Sequence, residues 1–170
     1  VYKRQTTLVG YQSGYSISTG TDNTALGSST LESTTTGSRN TAIGVKALSN
    51  TTTGAYNTAV GYQALNGNTT ALYNTAVGYL AMNSATSGGS NTCLGFQSGN
   101  AVNGAGFSGN TLLGAEAGRD ITTTDSNVCV GIRAGAYTTS INAGTGNVCI
   151  GAYTGVNATT NDYSIVIGYG

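Results

Sequence analysis

A single glycine recurs along this chain at a nearly fixed spacing, and that spacing constrains the fold more than any other feature. It falls at Gly10, Gly27, Gly44, Gly61, Gly78, Gly95, Gly114, Gly131, Gly151 and Gly168, with steps of 17 residues except one of 19 and one of 20. The surrounding phrase repeats too: Asn57 to Leu65 reads Asn-Thr-Ala-Val-Gly-Tyr-Gln-Ala-Leu, and Asn40 to Leu48 reads Asn-Thr-Ala-Ile-Gly-Val-Lys-Ala-Leu. A short fixed period predicts a solenoid, in which each coil touches only its neighbours and one supersecondary unit is stacked many times. Function in such a chain belongs to surface arrays and assembly before clefts.

Each coil is numbered here from its glycine as position zero, coil 1 holding Gly10 and coil 10 holding Gly168. Position −1 is aliphatic in every coil: Val9, Leu26, Ile43, Val60, Val77, Leu94, Leu113, Val130, Ile150 and Ile167. Position −2 is apolar and mostly small: Ala25, Ala42, Ala59, Ala76, Cys93, Cys129 and Cys149, with Leu8, Leu112 and Val166. Position −3 is Thr or a β-branched aliphatic. These are strand formers, and successive strand side chains face opposite ways. The strand is therefore apolar on both faces, as in buried parallel sheets.

We expect the −1 aliphatics to stack inside one narrow roll and the −2 stripe to need cover from outside, most simply by another copy of the chain. After the glycine bend, a second short strand is expected over residues such as 62–65, followed by a Thr- and Gly-rich return turn. Position +3 is small throughout. Position +4 is Leu31, Leu48, Leu65 or Met82 in coils 2 to 5 and glycine in coils 1 and 6 to 9. The fold class that follows is all-β, a parallel β-solenoid forming a narrow roll of about ten 17-residue coils. At ~4.8 Å per coil, its length is about 48 Å.

Composition narrows the function classes. Charged residues are 7% of the chain and the net charge is zero, so the basic stripe that nucleic acid requires is missing. No apolar run approaches the ~18 residues of a membrane span. There is no histidine, which excludes Ser-His and Cys-His nucleophilic chemistry. Asp22, Glu32, Glu116, Asp120, Asp125 and Asp162 are scattered over several coil positions and form no calcium ladder. The expectation is a non-enzyme without cofactor or metal. Residues 1–5 fit no repeat and hold two of the six basic residues; they read as a non-native start, the translation of a sequencing transposon end. Residues 6–170 then form one repeat domain, a fragment of a longer fibrous protein.

Several motifs invite a functional reading and a plainer one. Asparagine at −4 (Asn23, Asn40, Asn57, Asn74, Asn91, Asn110, Asn127, Asn147) is expected to build an amide ladder at the strand entrance. Gly104-x-Gly106-x-x-Gly109 matches a dinucleotide fingerprint literally, but no strand-to-helix unit surrounds it. Cys93, Cys129 and Cys149 replace Ala at a buried position, so small buried thiols are favoured over a disulfide. Thr or Ser pairs at −9 and −8, such as Thr52-Thr53 and Thr69-Thr70, suit either turn packing or an ice-matching array, though the pattern lapses in coils 7 and 9.

Aromatics at +1 (Tyr11, Tyr62, Tyr79, Phe96, Tyr169) suit ladder packing or a sugar-stacking surface. The two enlarged turns, residues 100–109 and 136–146, carry Phe107 and Tyr137. Loops on rigid scaffolds are where binding tends to reside. The candidate ligand-contact set is therefore Tyr62, Tyr79, Phe96, Phe107 and Tyr137.

The pattern resembles the head repeat of trimeric autotransporter adhesins, with the signature met at Thr41-Ala42-Ile43-Gly44-x-x-Ala47, Thr58-Ala59-Val60-Gly61-x-x-Ala64 and Val148-Cys149-Ile150-Gly151-x-x-Thr154. The Asn-Thr-Ala-Val-Gly-Tyr-Gln-Ala-Leu wording is also similar to repeats in phage tail fibres. This resemblance covers the chain after Gln5. It implies a left-handed β-roll, a homotrimer with three chains side by side, and a structural or adhesive role on a virion tail fibre or a cell surface, with a host glycan or receptor as partner. The alternative expectation is an ice-binding solenoid using the Thr array.

Overall fold

The computed structural model describes residues 5–101, 107–136, 144–155 and 163–170. Ten three-residue strands run in chain order: β1 (Thr7–Val9), β2 (Thr24–Leu26), β3 (Thr41–Ile43), β4 (Thr58–Val60), β5 (Thr75–Val77), β6 (Thr92–Leu94), β7 (Thr111–Leu113), β8 (Val128–Val130), β9 (Val148–Ile150) and β10 (Ile165–Ile167). They form one parallel sheet in sequential order, β1 to β10, so the chain is an all-β solenoid with one strand per coil. Register never slips. Ala59 pairs with Ala76 across a 17-residue step, Cys93 with Leu112 across 19, and Cys129 with Cys149 across 20. The extra residues of the longer repeats are thus absorbed outside the strands.

The two strand faces are reversed from expectation. In β2 to β9 the middle residue, position −2, is buried, and its neighbours at −3 and −1 are exposed or half-buried. The ten −1 aliphatics do share one face, but it is the outer one. The reason is room. The interior is lined by −2, by small +3 residues such as Ala47, Ala64, Ala81 and Ala117, and by the −4 asparagines, all fully or nearly fully buried. With Leu or Met at +4 filling the interior in coils 2 to 5, the strand contributes mostly Ala or Cys, and a further full row of Val, Leu and Ile has no place.

The second expected strand is absent as well. Residues 62–65 form a turn, in which Gln63 has φ 51° and Leu65 has φ 51°. The described residues at +2 in coils 1 to 9 and those at +4 share this left-handed conformation, as do those at −5, from Asp22 (φ 60°) to Tyr163 (φ 56°). Left-handed residues cannot propagate a strand. They bend the chain sharply, which lets a 17-residue coil close around so narrow a core. The repeated glycine has its own cause. Gly61 has φ 136°, and a Cβ there would lie 2.3 Å from the carbonyl oxygen of Gly78 in the next coil. Stacking thus presses backbone directly on backbone.

The asparagine ladder supplies the polar frame. The Asn40 N–H donates to Asn23 Oδ1 at 3.0 Å, and Asn40 Nδ2 donates to the Gly54 carbonyl at 2.9 Å. The backbone link repeats through Asn57, Asn74, Asn91, Asn110, Asn127 and Asn147. Each buried amide therefore satisfies backbone groups beside the strand that would otherwise be orphaned.

Candidate functional site

With the −1 residues turned outward, the sheet presents a continuous face made of positions −3, −1 and +1. No charged residue falls between −4 and +1 in any of the ten coils. Its −1 row includes Val9 at 54% exposure, Leu26 at 50%, Leu94 at 49% and Ile167 at 71%. At ~4.8 Å per strand and ~3.3 Å per residue, the flat face covers roughly 600 Å². Its apolar part is the −1 and +1 rows, since −3 is Thr in seven of the ten strands.

Two aromatic columns flank this face in coils 4 to 6. On the +1 side, Tyr62 stacks on Tyr79 with ring centroids 5.2 Å apart, and Tyr79 stacks on Phe96 at 5.5 Å. The middle ring has a neighbour on each face, so the column turns edges and hydroxyls toward solvent. On the −5 side, Tyr56 stacks on Tyr73 at 5.0 Å. Arg39 lies over the Tyr56 ring, 5.1 Å from its centroid, and donates to the Tyr56 hydroxyl. Arg39 also approaches Asp22 at 4.0 Å. The −5 column was missed in the sequence reading, although its signal was present: Tyr56 and Tyr73 are one 17-residue step apart.

Of the five candidate contact residues, the structure brings Tyr62, Tyr79 and Phe96 into one exposed column. Phe107 corrects the expectation for its turn. It is fully buried and belongs to the core cluster, at a position where coils 2 to 6 carry only glycine or alanine. A residue without exposed surface makes no surface contact. Tyr137 lies outside the described residues, as do Gly104, Gly106, Thr159, Thr160, Asp162 and residues 1–4.

The Thr and Ser pairs divide their work. The −9 hydroxyls cap carbonyls of the next coil: Thr35 Oγ1 donates to the Thr52 carbonyl at 3.2 Å and Thr52 Oγ1 to that of Thr69 at 3.0 Å. The −8 members Thr36, Thr53, Thr70 and Ser87 face solvent. The charged residues gather elsewhere, where Arg133 Nε donates to Glu116 at 2.9 Å across adjacent coils and Arg119 bridges Glu116 and Asp120. Cys93, Cys129 and Cys149 are buried free thiols. Burial pushes the Cys93 thiol well above its ordinary range, and Cys129 is raised by its hydrogen bond to Cys149 together with burial. Among the described residues no group of three or more metal-ligating side chains converges.

No known protein family matches this chain, and no curated protein or solved structure matches it either.

Proposed function

We propose that this chain is a structural and adhesive fibre segment, of a virion tail fibre or a cell-surface adhesin, in which three copies pack side by side through the charge-free sheet face. One observation carries the reading: the row of Val, Leu and Ile at −1 points outward along all ten coils, while the residue beside it at −2, mostly Ala or Cys, is the one the strand buries in β2 to β9. An apolar array of that regularity is costly in water at ~25 cal/mol per Å². A second copy of the same chain matches its strand spacing coil for coil. Cyclic association also gives a thin roll the burial that its own core supplies only in part.

The aromatic columns border this face and supply the candidate contact with a host glycan or receptor, through the exposed edges and hydroxyls of Tyr62 and Tyr79 with the ring of Phe96. Sedimentation of the purified chain at micromolar concentration tests the assembly, and a homotrimer is the expected result. A monodisperse monomer rejects it. Glycan-array binding compared between the chain and Tyr79→Ala tests the contact, which is rejected if an observed signal is unchanged.

The second reading, an ice-binding solenoid, rests on a different Thr column from the one expected. Thr24, Thr41, Thr58, Thr75 and Thr92 lie in register on the flat outer face. Ice binding requires that face free and trimerisation requires it covered. Thermal hysteresis in a monomeric sample favours ice; a trimer without hysteresis favours the fibre.

A further inference from the structure

The two aromatic columns contain two phenol pairs whose chemistry is independent of the fibre reading. Tyr56 and Tyr73 sit at −5 of adjacent coils, their rings 5.0 Å apart and inclined by 23°. Tyr62 and Tyr79 sit at +1 of the same two coils, 5.2 Å apart and inclined by 13°. All four rings are 42% to 57% exposed. The pairing is closed at its ends by the sequence. Arg39 covers the far face of Tyr56, and Ser90 follows Tyr73 at the next −5 position. Val45 precedes Tyr62 at +1, and the ring beyond Tyr79 is Phe96, which carries no phenol. Each tyrosine therefore has one phenolic stacking partner, held by β-strand register and not by chance encounter.

We propose that Tyr56–Tyr73 and Tyr62–Tyr79 are oxidative cross-linking sites, at which hydrogen peroxide turned over by a haem peroxidase joins adjacent coils through dityrosine. In each pair, both phenols lose one electron and one proton to give neutral tyrosyl radicals. The radicals combine by forming one carbon–carbon bond between ring carbons ortho to the oxygens. The two ortho hydrogens then move to the oxygens and restore both aromatic rings. Two tyrosines and one peroxide give one dityrosine and two waters. Parallel stacking places like ring edges at the same height on neighbouring coils, so the two ortho carbons need only small side-chain rotations to meet. The products are two covalent rungs between coils 4 and 5, one on each side of the strand.

The other described aromatic pair of tyrosines serves as an internal contrast. Tyr153 and Tyr169 meet edge to face, 5.9 Å apart and inclined by 65°, without the parallel stacking of the other two pairs.

The test treats the dilute full chain with peroxidase and hydrogen peroxide and separates the products on a denaturing gel. We expect dityrosine fluorescence in the single-chain band, an intact mass lower by two hydrogens per cross-link, and peptides joined at 56–73 and 62–79. Tyr73→Phe with Tyr79→Phe keeps both rings and removes one phenol from each pair. This double variant is expected to keep its circular dichroism and lose the single-chain fluorescence. The reciprocal variant, Tyr56→Phe with Tyr62→Phe, gives the same loss if either substitution disturbs folding. Fluorescence confined to cross-linked multimers, or single-chain fluorescence unchanged in a folded double variant, overturns the proposal.

Discussion

Coils 2 to 5 and coils 6 to 9 solve the same packing problem in opposite ways. In the first group the strand gives Ala at −2 and the turn gives Leu or Met at +4: Ala25 with Leu31, Ala42 with Leu48, Ala59 with Leu65, Ala76 with Met82. In the second group the strand gives Cys or Leu and the turn gives glycine: Cys93 with Gly99, Leu112 with Gly118, Cys129 with Gly135, Cys149 with Gly155. Coil 1 follows the second rule, with Leu8 and Gly14. In coils 2 to 5 the larger of the two side chains enters the core from the turn, and in coils 6 to 9 it enters from the strand. A Cβ on Gly118 would lie 2.7 Å from both Leu112 methyl carbons, and one on Gly155 would lie 2.6 Å from Cys149 Sγ.

The exchange has a backbone consequence. Position +4 is left-handed in both groups, at φ 51° for Leu65 and 56° for Gly118. A leucine held there bears roughly 1–2 kcal/mol of strain that glycine does not. Coils 2 to 5 accept that strain in return for a fully buried Leu or Met, whose burial contributes about 1.5–3 kcal/mol. Coils 6 to 9 give up part of that burial and relieve the turn.

The largest effect should follow from emptying the turn side of an Ala/Leu coil. Leu65→Ala is expected to cost about 2–5 kcal/mol in urea unfolding. Adding Ala59→Leu and replacing Leu65 with Gly converts coil 4 to the other rule, and this pair should cost less than the sum of its single changes. Simple additivity would break the comparison. A smaller loss is expected from Gly118→Ala, about 1–3 kcal/mol from crowding against Leu112. In a Leu112→Ala background the same change should cost less, because the clashing methyls are gone. An equal cost in both backgrounds would show that backbone strain alone keeps glycine at 118.

The smallest effect separates the groups by pH. Cys93 belongs to the glycine group, and burial raises its thiol pKa in the fold. A raised acid favours the folded state while it stays protonated. This contribution is complete below the unfolded value near 8.5 and falls above it, by at most ~1.4 kcal/mol per pH unit. Cys93→Ala should flatten the alkaline loss of stability measured by thermal melting between pH 8 and 10. An unchanged pH profile would contradict the assignment.

Much of this architecture is legible in the sequence. The glycine period places all ten strands, the −4 asparagines mark the ladder, and the Ala-to-Cys exchange marks buried thiols. Facing is not legible, because a three-residue strand such as Thr58-Ala59-Val60 is apolar at both −2 and −1. Only the width of the interior decides between them, and the width depends on the turns. Those turns are hidden in turn, since Gln63 and Leu65 adopt left-handed φ without being glycine. The hint lay in the glycines that replace Leu65's counterparts in five other coils. At the candidate site, Phe107 looked like a loop aromatic because its burial depends on neighbouring coils that no local pattern reveals.

The central claim is that the strand's middle residue faces the core while the aliphatic residue beside it faces outward. It is tested most directly by two adjacent substitutions, Ala59→Asp and Val60→Asp, each followed by thermal melting and sedimentation. Ala59→Asp places an unpaired carboxylate in the core and should abolish the cooperative melt at neutral pH. Val60→Asp should keep the melt and lose the self-association proposed for the unmodified chain. A folded Ala59→Asp chain beside an unfolded Val60→Asp chain would contradict the account.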